Sequence, residues 1–448
     1  MHSLGMAQNE KGFHGPTVTT LLGAFSGASR LGIGATAQMR PSGVTAKPNW
    51  LKAFMLLYET AGLSIISFFI VRGLIPQLRS RRGAFLYSAV VLSVYFPWIC
   101  QHALHARLFP FVAITAGTWI FACLVWIVFG LPGLTIIGLV KWLRRMLTLR
   151  REHAPETIDE GRRQILGNLA FPALSISLGA WGSVSGSSEF VIKKVELAIR
   201  NWPRPLDGFR IGQITDTHVG DFVPVRTIIR AVDVLNQARV HLQVMTGDLI
   251  DDLYYLEPTF DALERCQAPY GMLAVLGNHE KMRRRLGQIL NAYAARRKHG
   301  LVRLLVDESE VIQHKGTPLR VIGVDYPMRK NAHHSLRRSE RLALMKESAE
   351  RAFGALPADD AARLCLSHHP EFFPFAAKRR VSATISGHTH GGQVALFGQP
   401  LIPIYDYMLG RYTLEDSHLY VSGGTGHWWP YRVGVPPEVT IITIRSAV

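Results

Sequence analysis

The amino-acid sequence predicts an α/β domain that follows a group of transmembrane helices. Long apolar runs, separated by basic segments, lie between residues 51 and 183, and bilayer-spanning helices need such runs. From Phe209 onward, short β-rich runs alternate with amphipathic helical patterns, as expected of an α/β domain. Five polar motifs in this second part each follow a predicted strand. These observations indicate a membrane region joined to a soluble domain that carries a site.

The composition divides the 448 residues into four segments. Residues 1–50 are expected to form a flexible tail, because they lack periodicity and the pattern of a signal peptide. Residues 51–183 are expected to hold about four transmembrane helices, and residues 184–208 a linker with a first strand. Residues 209–448 are expected to form the α/β domain.

Four apolar runs are the candidate membrane spans: Leu51–Val71, Ala84–Cys100, Phe109–Val140 and Ile165–Trp181. The third run has 32 residues and is interrupted at Gly130-Leu131-Pro132-Gly133. We expect one span there followed by an interfacial or re-entrant piece, and two short crossings are the alternative. The number of crossings decides on which side of the membrane the α/β domain lies.

Basic residues between the runs predict the orientation. Residues 72–83 carry four Arg and no acid, residues 101–108 a single Arg, and residues 141–163 seven basic against four acidic residues. The positive-inside rule then places the domain on the periplasmic or extracellular side of an inner or plasma membrane. Most of the net charge of +17 flanks the apolar runs, so membrane lipids are expected partners and nucleic acid is not. A double crossing in the third run would reverse this orientation.

The α/β pattern predicts eight strands and three helices. Helix candidates lie near residues 224–238, 281–298 and 334–354. The strand candidates are Phe209–Ile214, Leu242–Thr246, Met272–Leu276, Arg320–Val324, Arg363–Ser367, Ser382–Ile385, Leu419–Ser422 and Val439–Ile444.

Five motifs follow these strands directly. They are Asp216-Thr217-His218, Gly247-Asp248-Leu249-Ile250-Asp251, Gly277-Asn278-His279-Glu280, His368-His369-Pro370, and Gly387-His388-Thr389-His390-Gly391-Gly392. Polar residues that leave the carboxyl ends of strands converge on one crevice of an α/β sheet. Glycine next to them lets the backbone turn and approach the site without a Cβ clash. We therefore expect these motifs to form a single site.

The residue types of this site predict metal binding. Carboxylates, imidazoles and one amide, without any thiol, suit Mn, Fe, Zn, Co or Ni. The number of candidate ligands exceeds what one ion requires, and two ions that share a carboxylate would use them all. Two such ions can clamp the attacking and leaving oxygens of a displacement at phosphorus.

The five motifs, in this order, resemble the calcineurin-like metallophosphoesterase superfamily. The sequence GHTHGGQ ending at Gln393, the SHHP beginning at Ser367 and the glycine-rich stretch at residues 423–426 are similar to its membrane-anchored bacterial phosphodiesterases. The resemblance implies transmembrane helices followed by a two-sheet αββα sandwich. It also implies hydrolysis of phosphodiesters by water that two divalent metal ions activate.

The resemblance assigns a role to each site residue. One metal would be held by Asp216, His218 and His390, and the other by Asn278, His368 and His388. Asp248 would bridge the two metals, and His279 would stabilise a phosphoryl oxygen or protonate the leaving group. Asp251 is expected to orient a ligand and Glu280 to orient His279. His427 and Arg432 are candidates either for supporting the ligands or for the substrate pocket. The neighbouring Trp428 and Trp429 fit either that pocket or the membrane interface.

The sequence leaves three functions open. A diesterase that acts on lipid or cell-envelope substrates is the leading hypothesis, because the domain is tethered to a membrane. The alternatives are a monoesterase acting on nucleotides or phosphoproteins and a non-catalytic membrane sensor. The metal identity and the oligomeric state do not follow from the sequence.

Overall fold

The structure is a computed structural model that describes residues 50–103, 109–146, 158–187, 190–282, 285–297, 300–328, 336–354, 356–357, 359 and 361–447. Of the predicted tail, only Trp50 is described, so that prediction lies outside the described residues. The described residues before Val191 are almost entirely helical. The helices there are α1 (Trp50–Leu74), α2 (Arg81–Ala103), α3 (Phe109–Val125), α4 (Leu131–Met146) and α5 (Ile158–Ser187).

The third apolar run is a nearly continuous helix, which corrects the expected re-entrant piece. A π-helical turn, Trp126–Gly130, joins α3 directly to α4. Pro132 lies just after this turn, and its missing backbone N–H interrupts the regular hydrogen-bond ladder of the helix there. The irregularity is therefore absorbed by the π turn, one of the usual causes of helix distortion, and the chain does not reverse.

Two helical segments, Arg81–Gln101 and Phe111–Leu143, are long and apolar enough to cross a membrane. Thr60–Leu74 forms a shorter apolar helix. Hydrogen bonds between polar side chains tie the bundle together: the Trp119 indole donates to Ser64 Oγ (2.9 Å) and the Trp126 indole to Ser175 Oγ (2.6 Å). Small polar residues commonly connect membrane helices in this way.

The soluble part contains two six-stranded sheets. Their strands are β1 (Val191–Arg200), β2 (Phe209–Ile214), β3 (Leu242–Thr246), β4 (Met272–Val275), β5 (Val302–Leu304), β6 (Glu308–His314), β7 (Thr317–Gly323), β8 (Ala362–Leu366), β9 (Ala383–Ser386), β12 (Gly410–Leu414), β13 (Ser417–Val421) and β14 (Glu438–Ala447). The first sheet has the order β1-β14-β2-β3-β4-β5, and the second β12-β13-β9-β8-β7-β6. A separate hairpin consists of β10 (Ala395–Leu396) and β11 (Gln399–Pro400).

The helices of this part are α6 (Arg226–Gln237), α7 (Leu256–Leu263), α8 (Asn278–Lys281), α9 (Leu286–Arg297), α10 (Arg338–Gly354) and α11 (Phe373–Ala377). The two sheets pack face to face, with Val244 of one sheet and Leu364 of the other in a shared core. The alternate residue Met245 faces α6 and its neighbours, as the two-residue period of a strand requires. α10 covers the outer face of the second sheet. The layers form the expected αββα sandwich.

All eight predicted strands are present with slightly different bounds. The predicted linker, residues 184–208, contains the ten-residue strand β1, which pairs in parallel with the last strand, β14. Strands β2, β3 and β4 are parallel to one another, and so are β7, β8 and β9. The carboxyl ends of each set therefore lie at a common edge, and the five motifs leave from these ends.

Candidate metal centre

The predicted ligands come together between the carboxyl edges of the two sheets. Each follows its strand within a few residues, and several adopt the left-handed backbone conformation that residues other than glycine rarely use. Such strain persists only where surrounding structure enforces it, and it is concentrated at functional sites. The ligand candidates with positive φ are Asp216, His218, Asp248, His388 and His390.

The first group of potential ligands consists of Asp216, His218 and His390. Their donor atoms lie within 4.8 Å of one another. The Nε2 atoms of His218 and His390 are 3.0 Å apart, and Asp216 Oδ1 is 3.5 Å from His390 Nε2. All three side chains are buried. This is the composition that the resemblance implies for one metal.

The second group consists of Asp248, His368 and His388, whose donor atoms also lie within 4.8 Å of one another. His388 Nδ1 is 3.1 Å from His368 Nε2. The amide oxygen of Asn278 is 3.2 Å from that same Nε2, so the one predicted amide ligand belongs to this group as well.

Asp248 lies between the two groups. Its Oδ2 is 3.2 Å from His368 Nε2 in the second group and 3.6 Å from His218 Nε2 in the first. Asp216 also lies near a histidine of each group, but its Oδ1 is 3.5 Å from His390 Nε2 and 4.0 Å from His368 Nε2, so Asp248 makes the shorter contact with the second group. The geometry therefore gives Asp248 the position of a shared ligand.

Burial favours the neutral, metal-binding form of His388 and His390, whereas burial at His368 is outweighed by the carboxylates of Asp248 and Asp216, which raise its pKa to about 9. The Nδ1–H of His368 donates to the carbonyl of Thr246 (2.7 Å), which leaves Nε2 free to face the other ligands. Burial, aided by the nearby Arg432, holds the pKa of His390 well below its ordinary value. Burial also holds the pKa of His388 well below it. Neutral imidazoles are the form that binds metals.

His279 and Asp251 form a hydrogen-bonded pair at the edge of the site. His279 Nδ1 is 2.6 Å from Asp251 Oδ1, and the same oxygen is 3.4 Å from His218 Nδ1. Burial lowers the pKa of His279, but the carboxylates of Asp251 and Asp248 outweigh it and raise that pKa to about 9. Asp251 thus contacts both a potential ligand and the candidate proton donor.

Glu280 does not orient His279, which corrects the prediction. Its buried carboxylate accepts hydrogen bonds from the backbone N–H groups of Gly277 (2.7 Å), Asp248 (3.0 Å) and Leu249 (2.6 Å). A turn between β4 and α8 places it against the loop after β3. Glu280 therefore fixes two of the ligand loops to each other.

Two glycines permit the close approach of these loops, as predicted. A Cβ atom on Gly277 would lie 2.1 Å from Asp248 Oδ1, and one on Gly387 would lie 2.1 Å from Asp216 Oδ2. Real Cβ atoms do not approach an oxygen this closely, so any side chain would displace a ligand carboxylate.

His427 and Arg432 are buried, and Arg432 contacts the predicted ligand His390, so of the two roles predicted for Arg432 the structure favours support of a ligand over the substrate pocket. Arg432 is 0% exposed, and its guanidinium donates to the backbone carbonyls of His390, Gly423 and Gly426. One of its nitrogens, Nη2, is 2.9 Å from His390 Nδ1.

His427 is likewise buried. The adjacent tryptophans differ in their surroundings: Trp429 packs against a cluster that includes residues of α3, whereas Trp428 is exposed and its ring centre is 6.2 Å from that of His279.

Two tyrosines at the site were not predicted. Tyr405 Oη is 3.2 Å from His388 Nε2, and the ring of Tyr326 lies against His368 and His388. Neither belongs to a motif. Their positions follow from loop packing, which a single sequence does not reveal.

The sequence of this domain is similar to known proteins. Residues 209–392 match the Calcineurin-like phosphoesterase family. An uncharacterized metallophosphoesterase of Bacillus subtilis, YkuE, is 27% identical over 64% of this chain and 98% of its own length.

Two further relatives extend the comparison. A transmembrane protein with metallophosphoesterase domain from Danio rerio is 24% identical over 83% of this chain and 82% of its own. The phosphodiesterase YaeI of Escherichia coli is 24% identical over 54% of this chain and 82% of its own. The transmembrane relative and the two long apolar helices indicate membrane association. Residues 209–392 therefore form a calcineurin-like phosphoesterase domain, and that family implies a metal-dependent phosphoester hydrolase.

Proposed function

We propose that this protein is a membrane-anchored phosphodiesterase with two divalent metal ions. Asp216, His218 and His390 would hold one ion, and Asn278, His368 and His388 the other. The observation that carries the proposal is the position of Asp248, whose carboxylate contacts a histidine of each group. When bound, the two ions would offset the charge of a phosphoryl group and lower the pKa of a water molecule to about 7.

His279 is placed to donate a proton to the leaving group. Its Nδ1 is held by Asp251, so the other ring nitrogen is left for a phosphoryl or leaving-group oxygen. The two neighbouring carboxylates favour the protonated imidazole, which is the form a general acid requires. Trp428 is exposed beside the ring and forms part of the surface from which a substrate would approach.

The arrangement of the helices supports an outward-facing domain. At the end of α2, Gln101 donates to the carbonyl of Asp221 in the soluble domain (3.3 Å). Arg81 begins the same helix, about 30 Å away along its axis. Arg72, Arg79 and Arg82 lie in or beside the same connection between α1 and α2. The positive-inside rule assigns this basic end to the cytoplasm and the domain to the periplasmic or extracellular side.

The proposed substrates are phosphodiesters of lipids or of the cell envelope. The tether supports this choice, because it confines the site to the membrane surface. The name of the Escherichia coli relative, a phosphodiesterase, supports the reaction type.

Steady-state hydrolysis by the purified full-length chain with Mn²⁺ tests the proposal. We expect a higher kcat/KM for bis(p-nitrophenyl) phosphate than for p-nitrophenyl phosphate, and loss of both activities in Asp248→Asn. A preference for the monoester would instead identify a monoesterase. Absence of any hydrolysis, with cellular function retained by the Asp248→Asn variant, would identify a non-catalytic sensor.

A further inference from the structure

An apolar hairpin is exposed beside the metal centre. It comprises β10, β11 and the segment that follows, residues 395–404. Five large apolar side chains of this hairpin are exposed: Leu396, Phe397, Leu401, Ile402 and Ile404. Scattered apolar residues are normal on protein surfaces, but a contiguous group marks a contact with another apolar body.

The tip of the hairpin is unfavourable in water. Leu396 pairs with Gln399, so Phe397 and Gly398 form a two-residue turn, and both have positive φ (52° and 77°). Asn and Gly are favoured in such turns, whereas a bulky aromatic residue is rare in the left-handed region. Phe397 is nevertheless 95% exposed. Neither backbone preference nor hydration accounts for phenylalanine here, so its side chain is expected to have an apolar contact.

The hairpin begins next to the membrane helices. Val394, the residue before it, packs against a cluster that includes Ile120 and Phe121 of α3, and these two lie within the candidate membrane span Phe111–Leu143. The N–H of Ala395 donates to the carbonyl of Val433 (2.8 Å). The neighbouring Arg432 N–H donates in turn to the carbonyl of Gly182 in α5 (2.7 Å). The hairpin therefore begins beside apolar turns of the membrane helices α3 and α5.

Both ends of the hairpin are fixed to the metal centre. On one side, Gln393 is three residues from His390, and its amide nitrogen donates to the carbonyls of Trp429 and Tyr431. On the other side, Tyr405 contacts His388. A surface that contacts the hairpin is thus adjacent to the predicted ligands.

We infer that the hairpin inserts into the interface of the lipid bilayer and presents the metal centre to phosphodiesters of membrane amphiphiles. The side chains at the tip would enter the boundary between headgroups and acyl chains, where amphipathic segments bury their apolar faces. A phosphodiester headgroup would then reach the site while its acyl chains stay in the bilayer. The substrate class rests on the proposed diesterase function, whereas the lipid contact does not.

Fluorescence of a label at the tip tests the lipid contact. The full-length Phe397→Cys variant, labelled with a nitrobenzoxadiazole dye, is reconstituted into vesicles of phosphatidylcholine and phosphatidylglycerol. Doxyl-labelled phosphatidylcholine is expected to quench this dye. The control is Lys315→Cys, in the exposed turn between β6 and β7 at the opposite end of the sheet, which is expected to escape quenching. The unsubstituted chain, with its cysteines mostly buried, gives the background.

Two probes with the same leaving group test the substrate class. They are bis(p-nitrophenyl) phosphate, which is soluble, and hexadecyl p-nitrophenyl phosphate, which partitions into vesicles. Replacing Phe397, Leu401 and Ile402 together by Ser is expected to lower kcat/KM for the hexadecyl probe about tenfold or more, because apolar contact with the bilayer is lost. Turnover of the soluble probe is expected to stay unchanged, since none of the three residues is a predicted ligand.

The possible outcomes separate the two proposals. Equal quenching of the labels at residues 397 and 315 would overturn the lipid contact. A disulfide between two copies of Phe397→Cys, without quenching by the labelled lipid, would assign the hairpin to a dimer interface. An equal loss on both probes, or no loss on either, would overturn the substrate class. Failure of the unsubstituted chain to hydrolyse either probe would refute the diesterase function, and the label would still decide the lipid contact.

Discussion

Substitution of Glu280 tests whether this carboxylate fixes the two loops that supply Asp248 and Asn278. In Glu280→Gln, one amide oxygen can replace Oε2, which accepts from Gly277 and Asp248. The amide NH₂ then faces the N–H of Leu249, and this buried donor loses its partner. An unsatisfied buried donor costs about 1–3 kcal/mol, and the two remaining bonds each lose charge assistance of about 1 kcal/mol. The expected destabilisation is therefore about 3–5 kcal/mol.

Thermal unfolding of the full-length chain in detergent measures this effect. Each kcal/mol shifts the midpoint by about 2–4 °C in a domain of this size, so the fall should exceed about 6 °C. Added Mn²⁺ should raise the midpoint of Glu280→Gln less than that of the unsubstituted chain. The control is Glu257→Gln, which breaks an exposed ion pair with Arg296 and should cost less than about 1 kcal/mol. Equal midpoints for Glu280→Gln and the unsubstituted chain would refute the role of Glu280.

Three further substitutions test the site. Gly277→Ala should lower the amount of bound metal severalfold in elemental analysis, because its Cβ would displace the Asp248 carboxylate. The control Gly287→Ala, with open space around its Cβ, should keep its metal, and equal metal contents in the two variants would contradict the prediction. His279→Ala should lower kcat for bis(p-nitrophenyl) phosphate by about 10²–10⁴-fold at unchanged metal content, and an unchanged kcat would exclude it as the proton donor. Asp251→Asn should lower kcat by about 10–100-fold, because it loosens His279, and a full loss of metal instead would assign it a ligand role.

The convergence of the motifs could be predicted from the sequence. Asp216, Asp248 and His368 each follow a short β-rich run, and strand ends in parallel sheets meet at one edge. The glycines beside these residues predicted the close approach that Gly277 shows. The two-sheet fold followed from the resemblance, because periodicity alone does not reveal which strands pair.

The remaining features depend on contacts between distant parts of the chain. β1 pairs with β14 at the other end of the domain, and no local pattern encodes such a pairing. Glu280 points to the Asp248 loop, although its motif suggested His279. The sequence makes Arg432 a candidate for the substrate pocket or for supporting a ligand, and only its contacts with α5 and His390 decide between the two. In the sequence, the apolar hairpin with Phe397 at its tip looks like a core strand, and only the exposure of its side chains in the structure distinguishes the two.

Anomalous diffraction from the Mn²⁺-loaded protein measures the central claim most directly. The account predicts two peaks about 3.5–4 Å apart, one between Asp216, His218 and His390 and the other beside His368 and His388. The carboxylate of Asp248 should lie between the peaks and contact both. A single peak, or two peaks of which only one is within bonding distance of Asp248, would contradict the shared-ligand site.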